Sequence, residues 1–202
     1  MKAKHILRRV VGTLIGLLLA AAPAPAAADD FVNSLHPLHP GREEVVEPAF
    51  EGTWLCADSS SLLMGVTRTD DGYSLVLFSK DDKEKFYFEV HLVRLGRTVF
   101  ADIRQTNHEE FFLLKPHIFA KIRVDQDELR FDFLSDDFVK DALGSGRTDL
   151  AHEWLDGTLV LTAPTRELQD FVESCAFDNK AYDSTEGVSF TRMKEPPDDS
   201  NS

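Results

Sequence analysis

Apolar and polar side chains alternate in short runs over most of the central part of the chain. Residues 86–93, for example, place Phe86 and Phe88 on one side and Tyr87 and His91 on the other. Alternation with a period of two is typical of strands that have one buried face and one solvated face. The same pattern recurs in the runs 73–77, 118–124 and 129–133.

Short polar stretches separate these runs and suit antiparallel hairpins. Asp70-Asp71-Gly72 and Asp125-Gln126-Asp127 are examples. A sheet of about six or more twisted strands tends to curl and close, because closure removes exposed edges. The predicted fold class is therefore mainly β: an antiparallel meander forming a barrel or strongly curled sheet, with two short helices near the C-terminal end.

The two helices interrupt the alternation in the second half of the chain. Ser135 is expected to cap the first helix, which stops at Gly144. Thr165 is expected to cap the second helix, whose apolar stripe runs from Leu168 to Cys175. Further strands are predicted at residues 157–162 and 187–193.

The first 28 residues have the layout of a secretory signal peptide. A basic start precedes an apolar run from Val10 to Ala22, and the segment ends in small residues at Ala28. We therefore expect an exported protein, periplasmic or extracellular after cleavage near Ala28, with no transmembrane span in the mature chain. The predicted organisation is a signal peptide at 1–28, an extended leader at 29–50, a single β-barrel-like domain at 51–193 and a disordered tail at 194–202.

Charge narrows the range of partners. The chain carries 22 basic and 35 acidic residues, a formal net charge of −13 at pH 7. The signal segment holds basic residues and no acidic ones, so the mature chain is more negative still. Such a charge favours solubility and opposes binding to phosphate-rich surfaces, so nucleic acid is not expected as a partner.

Cys56 and Cys175 are the two cysteines of the chain. In an oxidising compartment a lone pair of cysteines usually forms a disulfide, and we expect one joining the first strand of the domain to the second helix. The alternative is two buried thiols that pack as small apolar groups.

Two segments carry a resemblance to known proteins. Gly52-Thr53-Trp54 resembles the Gly-x-Trp opening of lipocalins, in which the tryptophan plugs the closed end of a barrel. Residues 161–169 are similar to a Leu-Thr-Ala-Pro-Thr-x-Glu-Leu-Gln segment of uncharacterised exported bacterial lipocalin-like β-barrel proteins. The resemblance covers residues 51–193 and implies a barrel that binds a small molecule.

Motifs for catalysis or metal binding are incomplete. Residues 152–156 begin like the His-Glu-x-x-His zinc motif, but Asp156 takes the place of the second histidine. His36 and His39 lie in a proline-rich leader, where ordering entropy would weaken a metal site. No catalytic residue, metal ligand or cofactor is therefore predicted.

An apolar surplus remains, since 15 phenylalanines cannot all face one core. The second apolar face is either covered by the two helices or lines a cavity or a partner surface. The predicted function is non-enzymatic binding of a small apolar or amphipathic ligand in a barrel cavity. The alternatives are an envelope protein–protein interaction module and, third, a metal-dependent hydrolase. The expected ligand-binding residues are Tyr87, His91, Phe100, Phe119 and Arg123.

Overall fold

The computed structural model describes residues 31–106, 115–155, 157–182 and 187–194. The predicted signal peptide and residues 195–202 of the predicted tail lie outside these ranges. The described residues form eleven strands, two α-helices and one 3₁₀ helix. The strands are β1 (Asn33–Ser34), β2 (Gly52–Cys56), β3 (Leu62–Thr69), β4 (Gly72–Ser79), β5 (Lys85–Leu95), β6 (Thr98–Gln105), β7 (His117–Asp125), β8 (Glu128–Phe133), β9 (His152–Leu155), β10 (Thr158–Leu161) and β11 (Val188–Arg192); the helices are α1 (Asp136–Gly144) and α2 (Thr165–Ser174), and the 3₁₀ helix spans Pro48–Phe50.

Eight of these strands form a closed antiparallel barrel, which confirms the predicted fold class. Strands β2 to β8 pair in chain order, β8 pairs with β11, and β11 returns to pair with β2. The meander turns that were predicted from polar stretches join the neighbouring strands. Closure leaves these eight strands without a free edge within the ring.

The alternation of the sequence determines what fills the barrel. Met64, Leu75, Phe88, Ile103 and Phe131 come from five different strands and belong to one buried cluster inside the barrel. Their polar neighbours in sequence face outward. The barrel core is therefore built from the inward half of each strand, as expected for period-two patterning.

A second apolar cluster lies outside the barrel wall. It joins the outer faces of β5, β6 and β7 to α1, α2 and β10, and it contains Phe100 and Phe119. Of the two interpretations of the apolar surplus, cover by the helices is the one found for these two rings. Phe100 and Phe119 are fully buried in that layer and do not line the barrel interior.

The leader is an integral part of this outer layer from Phe31 onward. Strand β1 pairs in parallel with β10 and at one position with β7. Leu38 is completely buried, and Val45 donates its backbone N–H to Leu92. Residues 35–45, which we call the strap, therefore lie across the barrel wall.

The helix termini agree with the sequence at one helix and differ at the other. Ser135 caps α1 by accepting a hydrogen bond from the backbone N–H of Phe138. At α2 the N-cap is Pro164, which has no capping side chain, so the prediction of Thr165 as N-cap is wrong. The Thr165 hydroxyl instead donates to the carbonyl oxygen of Pro37, which ties the strap to α2. Neither α1 nor α2, nor any other helix of the described residues, has the length and apolar character needed to cross a bilayer.

Candidate functional site

A small apolar cavity lies inside the barrel. Its volume is about 30 Å³, and every lining side chain is apolar. Pockets for drug-sized ligands measure roughly 300–1,000 Å³, so resident side chains occupy almost all of the interior. Residues around the cavity include Leu62, Leu77, Phe88, Phe131, Phe133 and Val188.

One end of the barrel is sealed by Trp54. Its indole is fully buried, and Nε1 donates to the carbonyl oxygen of Phe50, 3.1 Å away. The guanidinium of Arg192 lies 4.1 Å from the centre of the Trp54 ring and donates to the carbonyl oxygens of Glu51 and Ala49 at 2.7 and 2.5 Å. Stacking and hydrogen bonding together fix the 3₁₀ helix across this end.

The opposite end is covered by Phe31. Its ring packs on Phe133 with 4.3 Å between the ring centres, and both rings belong to the barrel cluster. Backbone bonding here consists of a bridge between Phe31 and Ser135 and a long bond of 3.4 Å from Val32 to Leu134. The interior cavity thus lies next to the start of the leader, with Phe133 between them.

The five predicted ligand-binding residues do not converge on the interior. Tyr87 is exposed on the outer face of β5, and Arg123 is exposed on β7, where it donates to Asp132 at 2.8 Å. His91 also faces outward and contacts Glu89, at 2.9 Å. Together with the buried positions of Phe100 and Phe119 in the outer layer, this corrects the expectation of one shared cavity. A binding role for any of the five stays a prediction.

A buried carboxylate, Asp102, organises the outer face instead. Its Oδ2 accepts from the backbone N–H of Leu38 at 2.6 Å and lies 2.9 Å from Nδ1 of His39. Its Oδ1 lies 2.6 Å from Nδ1 of His117. Because an ionised carboxylate only accepts hydrogen bonds, both imidazoles present Nδ1–H to it. Asp102 therefore fastens the strap to strands β6 and β7.

The environment of Asp102 keeps its side chain charged. Burial alone would raise the pKa of Asp102, but the hydrogen bonds from His117 and His39 lower it. The result is a pKa of about 2, against an ordinary value of 3.8. The carboxylate is consequently ionised over the whole physiological range.

A second imidazole–carboxylate contact continues this network. The rings of His39 and His91 are stacked with their centres 3.8 Å apart. Glu89 binds Nε2 of His91 and also accepts from Arg104, and these hydrogen bonds lower the pKa of Glu89. A serine nucleophile would donate its hydroxyl to an imidazole nitrogen. The hydroxyl of Ser34, in the neighbouring strand β1, instead donates to the carbonyl oxygen of His36. The network as described is a structural clamp.

The predicted disulfide is absent. Cys56 belongs to the cluster inside the barrel and Cys175 to the cluster outside it, and both are free thiols. Burial raises the pKa of Cys175 to about 12 and also raises that of Cys56. The alternative of two buried thiols is the one found, because the barrel wall separates the two side chains.

The near match to a zinc motif lies in a strand. Residues 152–155 form β9 rather than a helix, and positions four apart in a strand share a face but lie roughly 13 Å apart, too far to bind one ion together. Within the described ranges, no group of three or more His, Cys, Asp and Glu side chains is arranged to hold a metal ion. His36 and His39 belong to the strap, and only His39 contacts the carboxylate network.

Two important residues escaped the sequence analysis. Asp102 is a single acid among the apolar residues of β6, and that isolation is the signal for a buried carboxylate. Arg192 lies on the same strand face as Val188 and Phe190, whose side chains point into the barrel. This spacing puts a charged side chain at the barrel end. Neither pattern identifies its residue as important until the pairing register of the strands is known.

Comparison of the chain with models of known families, with curated protein sequences and with solved structures gave no match.

Proposed function

We propose that this chain is an exported, lipocalin-like binding protein that takes a small apolar molecule, or the apolar part of an amphipathic one, at the end of its barrel that Phe31 covers. The observation that carries the proposal is the apolar cavity beneath Phe133, in a barrel whose other end is sealed by Trp54 and Arg192. Cleavage near Ala28 is part of this proposal. N-terminal sequencing of the exported protein tests this part, and a first residue far from Asp29 would contradict the proposed cleavage.

The size of the cavity defines how a ligand enters. About 30 Å³ is room for little more than one small apolar group. A ligand therefore needs the space that Phe31 and Phe133 now fill. A narrow aliphatic chain or a single small ring is the class that fits, because no polar side chain lines the cavity to bind anything else.

Phe31 is the group that a ligand would displace. Its ring is buried, and among the described residues the backbone of Phe31 and Val32 forms the bridge to Ser135 and the long bond to Leu134. Burying a phenylalanine ring is worth roughly 1.5–3 kcal/mol, and a ligand that takes its place repays that cost with its own apolar area. Phe31 and Val32 act in this proposal as a removable cover.

Phe31→Ala is expected to bind toluene about ten- to a hundredfold more tightly than the wild type. The variant binds without the free-energy cost of displacing the ring, and each 1.4 kcal/mol or so corresponds to a factor of about ten in affinity. NMR line broadening of toluene measures the affinity. Leu35→Ala, which alters an exposed side chain directly after β1, is the control and should change the toluene affinity less than twofold.

The wild type must itself bind toluene or 1-octanol detectably. A wild type that binds neither probe at saturating concentration would show that the barrel interior is only a packed core. Equal affinities in Phe31→Ala and the wild type would show that the cover is not at Phe31.

A second candidate function is docking of an envelope protein. Strand β9 pairs only with β10 among the described strands, and its Trp154 and Leu155 are 53% and 37% exposed. An edge strand with exposed apolar side chains is a template for a partner strand. Hydrogen exchange tests this: β9 amides protected in envelope extract, but not in the Trp154→Ala variant, support docking, and unchanged exchange contradicts it.

A further inference from the structure

The pairing between two strands of the barrel wall stops before one of them ends. Strands β6 and β7 are paired over five positions, and the last pair toward the Trp54 end is Phe100 with Lys121. Beyond it, β6 begins at Thr98 and β7 runs on to Asp125 without further pairing between them. Residues 122–125 of β7 therefore extend beyond the last pair with β6.

A groove of about 580 Å³ lies where β7 extends beyond its last pair with β6. Val99, Ile122 and Val124 line it, although all three belong to or pack against the barrel cluster. The floor of the groove is therefore formed by apolar side chains of the barrel cluster. Its volume lies within the range of about 300–1,000 Å³ that small-molecule sites occupy.

Cationic side chains surround this apolar floor. Arg97, Lys121 and Arg123 all line the groove, in a chain whose net charge is −13. Two carboxylates also line it: Asp132 accepts from Arg123 and from Arg130, at 2.8 and 2.7 Å, and Glu47 accepts from the backbone N–H of Ala49 at 3.2 Å. Local positive charge in a strongly acidic protein points to an anionic ligand.

An aromatic wall completes the groove. Phe177 is 73% exposed, the highest value among the large apolar side chains that are described as exposed. The Arg97 guanidinium lies 5.8 Å from its ring centre, and Lys121 Nζ lies 5.1 Å from the ring centre of Tyr182. The exposed ring offers apolar area that a bound aromatic group would cover.

The Lys121 ammonium is partly desolvated in this position. Burial lowers the pKa of Lys121, while the charge of Asp132 opposes that effect. Its Nζ has one weak backbone acceptor, the carbonyl oxygen of Ala176 at 3.3 Å. An anion placed in the groove would compensate the lost hydration.

From this geometry we propose that the groove between β6 and β7 binds a small amphipathic anion, an aromatic carboxylate or sulfonate. Arg97 and Lys121 hold the acid group, and the ring lies on Val99 and Ile122 beneath Phe177. The site is separate from the interior cavity and does not depend on the proposed function.

Isothermal titration with naphthalene-2-sulfonate tests the site, with 2-naphthalenemethanol as the uncharged analogue. The wild type should bind the sulfonate at least about tenfold more tightly than the alcohol, because charge-assisted hydrogen bonds favour the anion. Arg97→Glu should weaken sulfonate binding by about tenfold or more and leave alcohol binding within about twofold. Arg97 is exposed, so this variant retains the fold.

Arg68→Glu is the matched control, since it makes the same charge change at an exposed position of β3. An equal loss in Arg68→Glu and Arg97→Glu would overturn the proposal, because only the net charge would then matter. No sulfonate binding by the wild type, or equal binding of the alcohol, would overturn it too. Phe31→Ala should leave sulfonate affinity unchanged, which separates this groove from the interior cavity.

Discussion

Asp102→Asn is expected to lower the free energy of unfolding by about 3–5 kcal/mol at neutral pH. The amide would place an N–H₂ group against donors that now bind a carboxylate, from Leu38, His39 and His117. Removing one member of a buried, charge-assisted set leaves the others without partners. Urea denaturation followed by circular dichroism measures the change.

The pH dependence of this loss has a defined sign. The pKa of Asp102 is about 2 in the folded chain, below its ordinary value of 3.8. A lowered pKa contributes stability that is fully present above about pH 5 and is lost as the pH falls through about 4 to 2. The difference between wild type and Asp102→Asn should therefore be constant above about pH 5 and shrink below it.

Asp170→Asn supplies the control, because that carboxylate is exposed and contacts only Arg42 in a surface pair at 3.3 Å. It should change the stability by less than about 1 kcal/mol. A loss at Asp102 no larger than the loss at Asp170 would mean that the strap is held by its apolar contacts alone.

Trp54→Ala should cost about 3–5 kcal/mol, the range for truncating a large buried aromatic side chain. The substitution removes the ring that Arg192 stacks on and leaves that guanidinium over a cavity. It also removes the hydrogen bond to Phe50, so the 3₁₀ helix loses its anchor. Equilibrium unfolding in urea checks the value.

The other tryptophan of the chain is a natural comparison. Trp154 is 53% exposed, and its main polar contact is the Lys140 ammonium, 5.6 Å from the ring centre. Trp154→Ala should lower the stability by less than about 1 kcal/mol. Similar losses for both tryptophans would contradict the sealed end described for the barrel.

The barrel was predictable because a strand's two faces follow from a period of two. Phe86 and Phe88 oppose Tyr87 in the sequence, and the first two lie inside while the third is exposed. Where both faces are apolar, as around Phe100, the pattern cannot distinguish a cavity lining from a covered outer layer. Phe100 turned out to lie beneath Tyr182, with 5.7 Å between the ring centres.

The errors share one physical origin, which is the depth at which an element packs. Cys175 lies on the buried stripe of α2 as expected, but α2 packs outside the wall and Cys56 points inside it. Periodicity gives the direction of a side chain within its own element and not the layer in which that element lies. For the same reason Asp102 was not recognised as a partner of the leader.

The last strand of the ring has a consequence for biogenesis. Strand β2 acquires its second neighbour only when β11 arrives, and Ala49 and Arg192, which meet there, are 143 residues apart. A contact between such distant positions carries a large loop-closure cost and forms late. During synthesis, the inward faces of the earlier hairpins therefore stay exposed until β11 emerges, and products truncated before β11 are expected to be substrates for proteases and holdase chaperones.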